Sequence, residues 1–430
     1  SPFKYHSSRT FMQLLLVNIG ELATLSEGDP NKPLTGDSMH NREQLVHNHG
    51  TGIYIEEDKI IRIDDSQKLF EEYSGTNVKI LDVESKAIVP GFVDSHTHLV
   101  WAGDRANEMN LRRKGYSYQD IANAGGGIQK TVDYTRSTSE EHLINKGLDI
   151  CKTALKFGTT TIEGKSGYGL TTKSEINLLQ AIKKIGSTSP QLILGTWLGA
   201  HDFPKNTKKS DYIESLISDQ LPLVVENNLA NWVDVFCEPG WYDLEQTETI
   251  IKASHELGLR SRIHVDEFVD GNGLSLAAEL GCDSGDHVGF SNSESREAAN
   301  KAGPLQTFLP GTPYVLGNEL IYPLNECLDN NWAFGFATDY NPNCNTISLP
   351  FVGSLATHRL NLDPLAALVA VTRNPASSLN LKEEEIRGSI REGGIADLNI
   401  LKSNYIDGWC QTPGISPVSK TIISGELFNH

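Results

Sequence analysis

The feature that most constrains this 430-residue chain is a change of rhythm near residue 87. From about Ala87 to Asn374, short apolar runs recur with amphipathic stretches between them. Eight runs read as strands: Ile88–Val93, Thr159–Glu163, Leu192–Leu198, Trp232–Phe236, Arg260–His264, Ser284–Val288, Leu305–Leu309 and Trp332–Ala337. Between them, segments such as Lys173–Ile185 and Leu244–Leu257 carry apolar residues at three- and four-residue intervals, the spacing of one helical face. This alternation predicts parallel βα units. Eight units over roughly 290 residues predict an α/β fold, a TIM-like (β/α)8 barrel, which typically needs about 250. A doubly wound open sheet is the competing architecture, but no Gly-x-Gly-x-x-Gly turn follows the first strand.

The two ends read differently. From about Phe11 to Lys86, β-rich runs (Gln13–Ile19, Gly52–Ile55, Lys59–Ile63, Val78–Val83) alternate with polar connections, and the Asn/Asp/His-rich segment Glu27–Gly50 reads as loop. Asp397–Lys402 and Lys420–Leu427 read as two more strands. Neither end is long enough for a secure core alone, so both are expected to pack together as one small β-sandwich. The expected division is 1–86 for its N-terminal part, 87–374 for the barrel and 375–430 for its C-terminal part.

The formal charge of −18 argues against nucleic acid or anionic lipid as a partner. An anionic small molecule would have to be held by local cations. Six scattered cysteines without a CxxC pair suggest free thiols in a reducing compartment. No apolar run approaches the roughly 18 residues that span a bilayer. Ser1 to Thr10 lack a secretory h-region, and the expected location is cytoplasmic.

Candidate chemistry gathers at the predicted strand ends. The first run leads into Val93-Asp94-Ser95-His96-Thr97-His98. Side chains two apart on an extended strand share a face, so His96 and His98 can meet one cation, and imidazole suits zinc or iron. His47-Asn48-His49 has the same spacing but lies in the polar segment with no strand before it. His264 closes the fifth run, His287 the sixth and Asp339 the eighth. A single histidine in an apolar strand is commonly a satisfied core residue. Metal-type residues at four strand ends of one barrel point jointly to a site on its C-terminal face.

Several strings carry a family resemblance: Gly91-Phe-Val-Asp-Ser-His-Thr-His98, with its continuation Leu-Val-Trp-Ala-Gly-Asp-Arg105, Ala124-Gly-Gly-Gly-Ile128, Lys165-Ser-Gly-Tyr-Gly-Leu170, Gly199-Ala-His201, His264-Val-Asp-Glu267 and Thr338-Asp-Tyr-Asn-Pro342. They resemble the imidazolonepropionase family of the metal-dependent amidohydrolase superfamily, from about residue 80 to 380. The resemblance implies hydrolytic opening of 4-imidazolone-5-propanoate to N-formimidoyl-L-glutamate, a step of histidine degradation. It implies one zinc or iron ion per subunit, held by His96, His98, His264 and Asp339, and a homodimer. Glu267 and His287 would handle protons beside Asp339. Arg105, Tyr168, His201, Glu267, Asn341, Asn343 and Cys344 would contact substrate, Arg105 through the propionate.

The bland readings stand beside these. Arg112 and Arg113 read as solvated surface charge, Tyr168 could be packing, and Lys165 could be a structural ion pair. Two-metal relatives usually carry a modified lysine at the end of strand 4, where this chain has Cys237-Glu238, which favours one metal. The chain departs from the family at Asn343-Cys344, where Gly and a small hydroxyl residue are usual, and at Val288-Gly289-Phe290. The rival readings are a related deaminase of a cytosine- or guanine-like ring, and a non-catalytic barrel.

Overall fold

In the computed structural model, which describes residues 13–430, eight parallel strands run side by side in sequence order. They are β1 (Phe92–Thr97), β2 (Thr159–Lys165), β3 (Leu192–Ala200), β4 (Trp232–Cys237), β5 (Arg260–Val265), β6 (Ser284–His287), β7 (Leu305–Phe308) and β8 (Phe334–Phe336). The ring closes just beyond β8. His98 N donates to Tyr340 O at 2.7 Å, and Asp339 N donates to His96 O at 3.0 Å. The buried Asp94 carboxylate reinforces the seam by accepting from Thr338 N and from Thr338 Oγ1 at 2.6 Å. The barrel expected from the alternation is present.

The helices between strands form where capping and apolar spacing agree. Thr172–Thr188 starts at Thr171, whose side chain accepts from Ser174 N, and buries Leu178, Leu179, Ile182 and Ile185. Leu244–Glu256 starts with a reciprocal Asp243/Gln246 cap and buries Ile250 and Ile251. Such side-chain acceptors satisfy N–H groups that a helix start leaves unpaired.

Two further sheets come from the chain ends. One joins Lys59–Asp65, Thr51–Glu56, Gln13–Ile19 and Lys79–Asp82. The other joins Glu426–Asn429, Val418–Ile423, Leu398–Leu401, Ile88–Pro90, Leu22–Ala23 and Val46–His47. A shared apolar cluster holds them together, with Leu14, Leu16, Ile53 and Ile55 from the first and Ile88, Leu398, Ile400 and Ile422 from the second. This is the small sandwich expected from both ends.

Three expectations need correction. The run Ile88–Val93 is not one strand. Ile88–Pro90 pairs antiparallel with Leu398–Leu401, and the barrel strand begins at Phe92. Gly91 makes the transfer possible: a Cβ there would lie 2.3 Å from Thr160 Oγ1. Lys420–Leu427 is likewise a hairpin, because Ser424 and Gly425 both adopt positive φ (47° and 81°), the requirement of a type I′ turn. The segment Glu27–Gly50 contains short helices at Gly36–Met39 and Arg42–Leu45 and the strand Val46–His47. It is pinned by Arg373, whose guanidinium donates to the carbonyl oxygens of Leu25, Glu27, Asp29 and Lys32. That anchor is over 340 residues away in sequence, which hid the order of the segment.

All six cysteines are buried and unpaired. Among the described residues no helix is long and apolar enough to cross a membrane. The reading of Ser1–Thr10 lies outside the described residues.

Candidate metal centre at the barrel mouth

The C-terminal strand ends bring together residues scattered over more than half of the chain. His96 lies in β1 and His98 just past it, His264 in β5, and Asp339 three residues beyond β8. One ligand atom from each of these four lies within 4.8 Å of the others. Asp339 Oδ1 is 3.1 Å from His96 Nε2 and 3.3 Å from His98 Nε2. Ligand atoms around a tetrahedral ion at about 2.1 Å sit about 3.4 Å apart, so the spacing fits a common ion. His47 and His49 belong to no such cluster among the described residues, and His49 Nε2 is paired with Ser85 Oγ.

The outer nitrogens explain why the inner ones face each other. His96 Nδ1 lies 2.6 Å from Asp286 Oδ2, and His264 Nδ1 lies 3.0 Å from Asp234 Oδ1. These carboxylates hold each Nδ1 as a donor and turn Nε2 inward, the usual arrangement behind metal-binding imidazoles. His96 Nε2 and Asp339 Oδ1 are buried without a hydrogen-bond partner. Burial and Lys165 oppose a charge on His96, yet Asp286 and Asp339 raise it to about 9. The carboxylates around His96 favour a positive charge here, which a metal ion would supply. The residues present therefore fit a metal.

Beneath the ligands lies a buried charge network. Lys165, at the end of β2, pairs with Glu163 and, at 2.9 Å, with Asp234 Oδ2. Glu163 also accepts from Thr97 N and Thr196 Oγ1. Lys165 is thus a buried ion-pair residue under the site.

Beside the ligands, His287 Nε2 is 3.2 Å from Glu267 Oε1 and 3.6 Å from Asp339 Oδ2. Burial pushes His287 down to about 3 and the Glu267 carboxyl well above its ordinary range. Burial thus disfavours the charged form of both members of this pair. Glu238 accepts from Glu267 N, and Thr312 Oγ1 donates to Asp339 Oδ2. His287 (φ 80°), Asp339 (φ 54°) and Asp266 (φ 54°) all adopt the left-handed region, uncommon for non-glycine residues and concentrated at functional sites. Asp266 holds its turn by accepting from the N–H groups of Gly271, Gly273 and Leu274.

On the other flank, the His201 ring stacks on His98, centroids 5.1 Å apart, and the Tyr168 ring lies 5.9 Å from His98. His201 Nδ1 donates to Gly167 O at 3.0 Å, which leaves Nε2 as an acceptor, and burial keeps the ring neutral. The Tyr168 loop is held by Glu175 Oε2, which accepts from Gly167, Gly169 and Leu170 N–H groups. Arg105 is buried, with Nε and Nη2 on Glu108, and close to Tyr118 and Tyr168.

The turn after Asp339 is largely self-satisfied. Asn341 Nδ2 donates to Asp339 O, and its Oδ1 accepts from Asn343 N and Cys344 N. Cys344 Sγ faces Thr338 O from a fully buried position. Asn343 Oδ1 accepts from Arg112 Nη1.

Sequence reasoning missed Asp234, Asp286, Glu175, Tyr118 and Thr312. A signal for two was present: Asp234 interrupts the apolar run Trp232–Cys237, and Asp286 precedes His287. A carboxylate inside a buried strand needs a partner.

A model of the Amidohydrolase family matches residues 149–427. The chain is 34% identical over 422 residues to an imidazolonepropionase of Symbiobacterium thermophilum, with 97% of each chain covered. It is 36% identical over 417 residues to one of Thermoanaerobacter pseudethanolicus, covering 96% of each. Among solved structures, ochratoxinase of A. niger superposes with a TM-score of 0.66 at 17% identity over 97% of this chain and 96% of that one. The fold alone is shared at that identity. With near-complete coverage at both ends, and the four ligand positions converging as they do, the chain belongs to the imidazolonepropionase family of metal-dependent amidohydrolases.

Proposed function

We propose that His96, His98, His264 and Asp339 hold a single zinc or iron ion and that the residues around it open a five-membered lactam. The enzyme hydrolyses the cyclic amide C–N bond of 4-imidazolone-5-propanoate, giving N-formimidoyl-L-glutamate in histidine degradation. The observation that carries the ion is the pair of unpartnered buried atoms, His96 Nε2 and Asp339 Oδ1, facing each other at 3.1 Å. Such an ion polarises a carbonyl and brings the pKa of water towards 7.

The chain's own groups then divide the work. His287 Nε2, neutral and beside Asp339, takes a proton from the attacking water. Glu267 Oε1, 3.2 Å from that nitrogen, shares the proton and passes one to the ring nitrogen as the amide bond breaks. Water oxygen bonds to the carbonyl carbon, and the product gains a carboxylate there. Asp339 acts as both ligand and water-orienting base.

Arg105 receives the propionate, since a guanidinium fork pairs two carboxylate oxygens. Glu108 holds the fork still. Tyr168 and His201 line the ring's flank, the former through its hydroxyl and the latter through Nε2. Asn341, Asn343 and Cys344 shape the turn that closes the substrate end. The division into barrel and sandwich belongs to the same reading, with the expected boundary at 374/375 kept and that at 86/87 moved to Gly91, where Ile88–Pro90 gives way to the barrel strand. Six buried thiols support a cytoplasmic setting, the charge of −18 opposes nucleic acid, and the family resemblance supports a homodimer.

Purified protein assayed on imidazolone propionate, cytosine and guanine tests the reading. Ring opening of the first is expected. Ammonia release from a nucleobase with the imidazolone left intact would overturn it.

A further inference from the structure

Arg112 is the second guanidinium at the barrel mouth. It sits four residues after Glu108 on the short helix Glu108–Arg113, so the two share a face, and Arg105 lies in the turn just before that helix. Glu108 is taken by Arg105. Arg112 is left half-buried, and among the described residues the only hydrogen bond of its side chain runs from Nη1 to the neutral Asn343 Oδ1 at 2.5 Å. Among those residues it forms no ion pair, although the chain carries a net charge of −18.

Arg112 also lines a cavity of about 590 Å³, walled by Tyr116, Tyr118, Trp241 and Phe268, within the size range of small-molecule sites. The cavity shares an aromatic wall with the metal centre. Trp241 stacks on Phe236 at 4.8 Å between centroids, Phe236 lies 5.5 Å from the His264 ring, and Phe268 follows Glu267 directly. A positioned cation with no carboxylate partner, in an aromatic cavity, accepts an anion more readily than a solvated surface arginine does. Burial pushes the Arg112 guanidinium down from its ordinary value, with Glu108 opposing and Arg105 adding to the shift; a carboxylate from outside relieves that cost.

We propose that Arg112, positioned by Asn343 across the mouth, is a specificity-determining residue that binds the substrate's carboxylate together with Arg105. This deepens the lactam-opening reading and rests on it. Asn343 thereby acquires a task for its side chain: it fixes Nη1, while Nε and Nη2 of Arg112 have no hydrogen-bond partner among the described residues. Two guanidiniums then select a ring that bears an anionic arm over a neutral one of equal size.

The test compares the parent enzyme with Arg112→Gln, which keeps an amide donor for Asn343, on imidazolone propionate and on its primary amide. The expected result is a roughly tenfold fall in the ratio of kcat/KM for acid over amide. A purely structural role would lower both values together and leave the ratio unchanged, which would overturn the proposal. Parent enzyme that leaves both rings intact would overturn the lactam-opening function and this inference with it; parent enzyme that opens the ring with an unchanged ratio in the variant overturns the inference alone.

Discussion

His96 Nδ1 lies 2.6 Å from Asp286 Oδ2, so a carboxylate on the sixth barrel strand sets the orientation of a ligand on the first. Both side chains are fully buried. Removing the carboxylate frees the ring to change tautomer and to turn. Asp286→Ala is expected to weaken metal binding by about 10- to 100-fold, read by competition with a chelator. Asp339→Ala, which removes a ligand outright, is expected to lose more metal and to lower turnover by roughly a thousandfold or more. An Asp286→Ala protein with parental metal affinity would contradict the assignment.

Arg105 touches no ligand residue; its partners are Glu108 and the tyrosine side. Arg105→Ala is expected to lower kcat/KM on imidazolone propionate by roughly 10- to 100-fold, the worth of a charge-assisted hydrogen bond. Metal content should stay at the parental level. Metal analysis beside steady-state kinetics checks both halves.

Lys165 neutralises two carboxylates in a fully buried place. Lys165→Met leaves Glu163 and Asp234 without their cation and is expected to cost about 3–5 kcal/mol of stability, measured by urea unfolding of chelator-treated protein. Burial opposes the charge on Asp234, but His264 and Lys165 outweigh it and hold the group far below its ordinary range. A depressed carboxylate contributes stability above its unfolded pKa of about 4 and loses it as pH falls. The gap between parent and variant should therefore be full at neutral pH and narrow in acid. A gap that widens in acid would contradict this.

Glu175 Oε2 accepts three backbone N–H groups from the loop that presents Tyr168. Glu175→Ala is expected to loosen that loop and lower kcat/KM by roughly 10- to 100-fold without changing metal content. Glu175→Gln, which retains one acceptor oxygen, should lie between parent and alanine variant. Unchanged kinetics in Glu175→Ala would mean that the loop is held by other contacts.

The barrel was legible because its strands are apolar runs punctuated by amphipathic helices, a local pattern that survives in one dimension. The metal ligands were legible for a related reason. His96 and His98 are two apart at the end of the first strand, while His264 lies at the end of the fifth and Asp339 just beyond the eighth, so their places follow from strand count and direction. Boundaries were less legible where a short run serves two sheets. Nothing local marks Gly91 as the point where Ile88–Pro90 leaves the sandwich and Phe92 enters the barrel; the crowding against Thr160 does.

The one-dimensional pattern by itself determined the fold class, the joining of the two ends and the residue types able to meet a cation, because hydrophobic period and donor chemistry are properties of short stretches. The partners of those residues were decided only by the tertiary structure. Asp286 behind His96, Asp234 between His264 and Lys165, and Asn343 across from Arg112 are brought together only when the barrel forms. They are separated by 30 to 231 residues. The reason is physical: a buried charge must find its counterpart in space, and strand pairing rather than sequence distance decides which one is near.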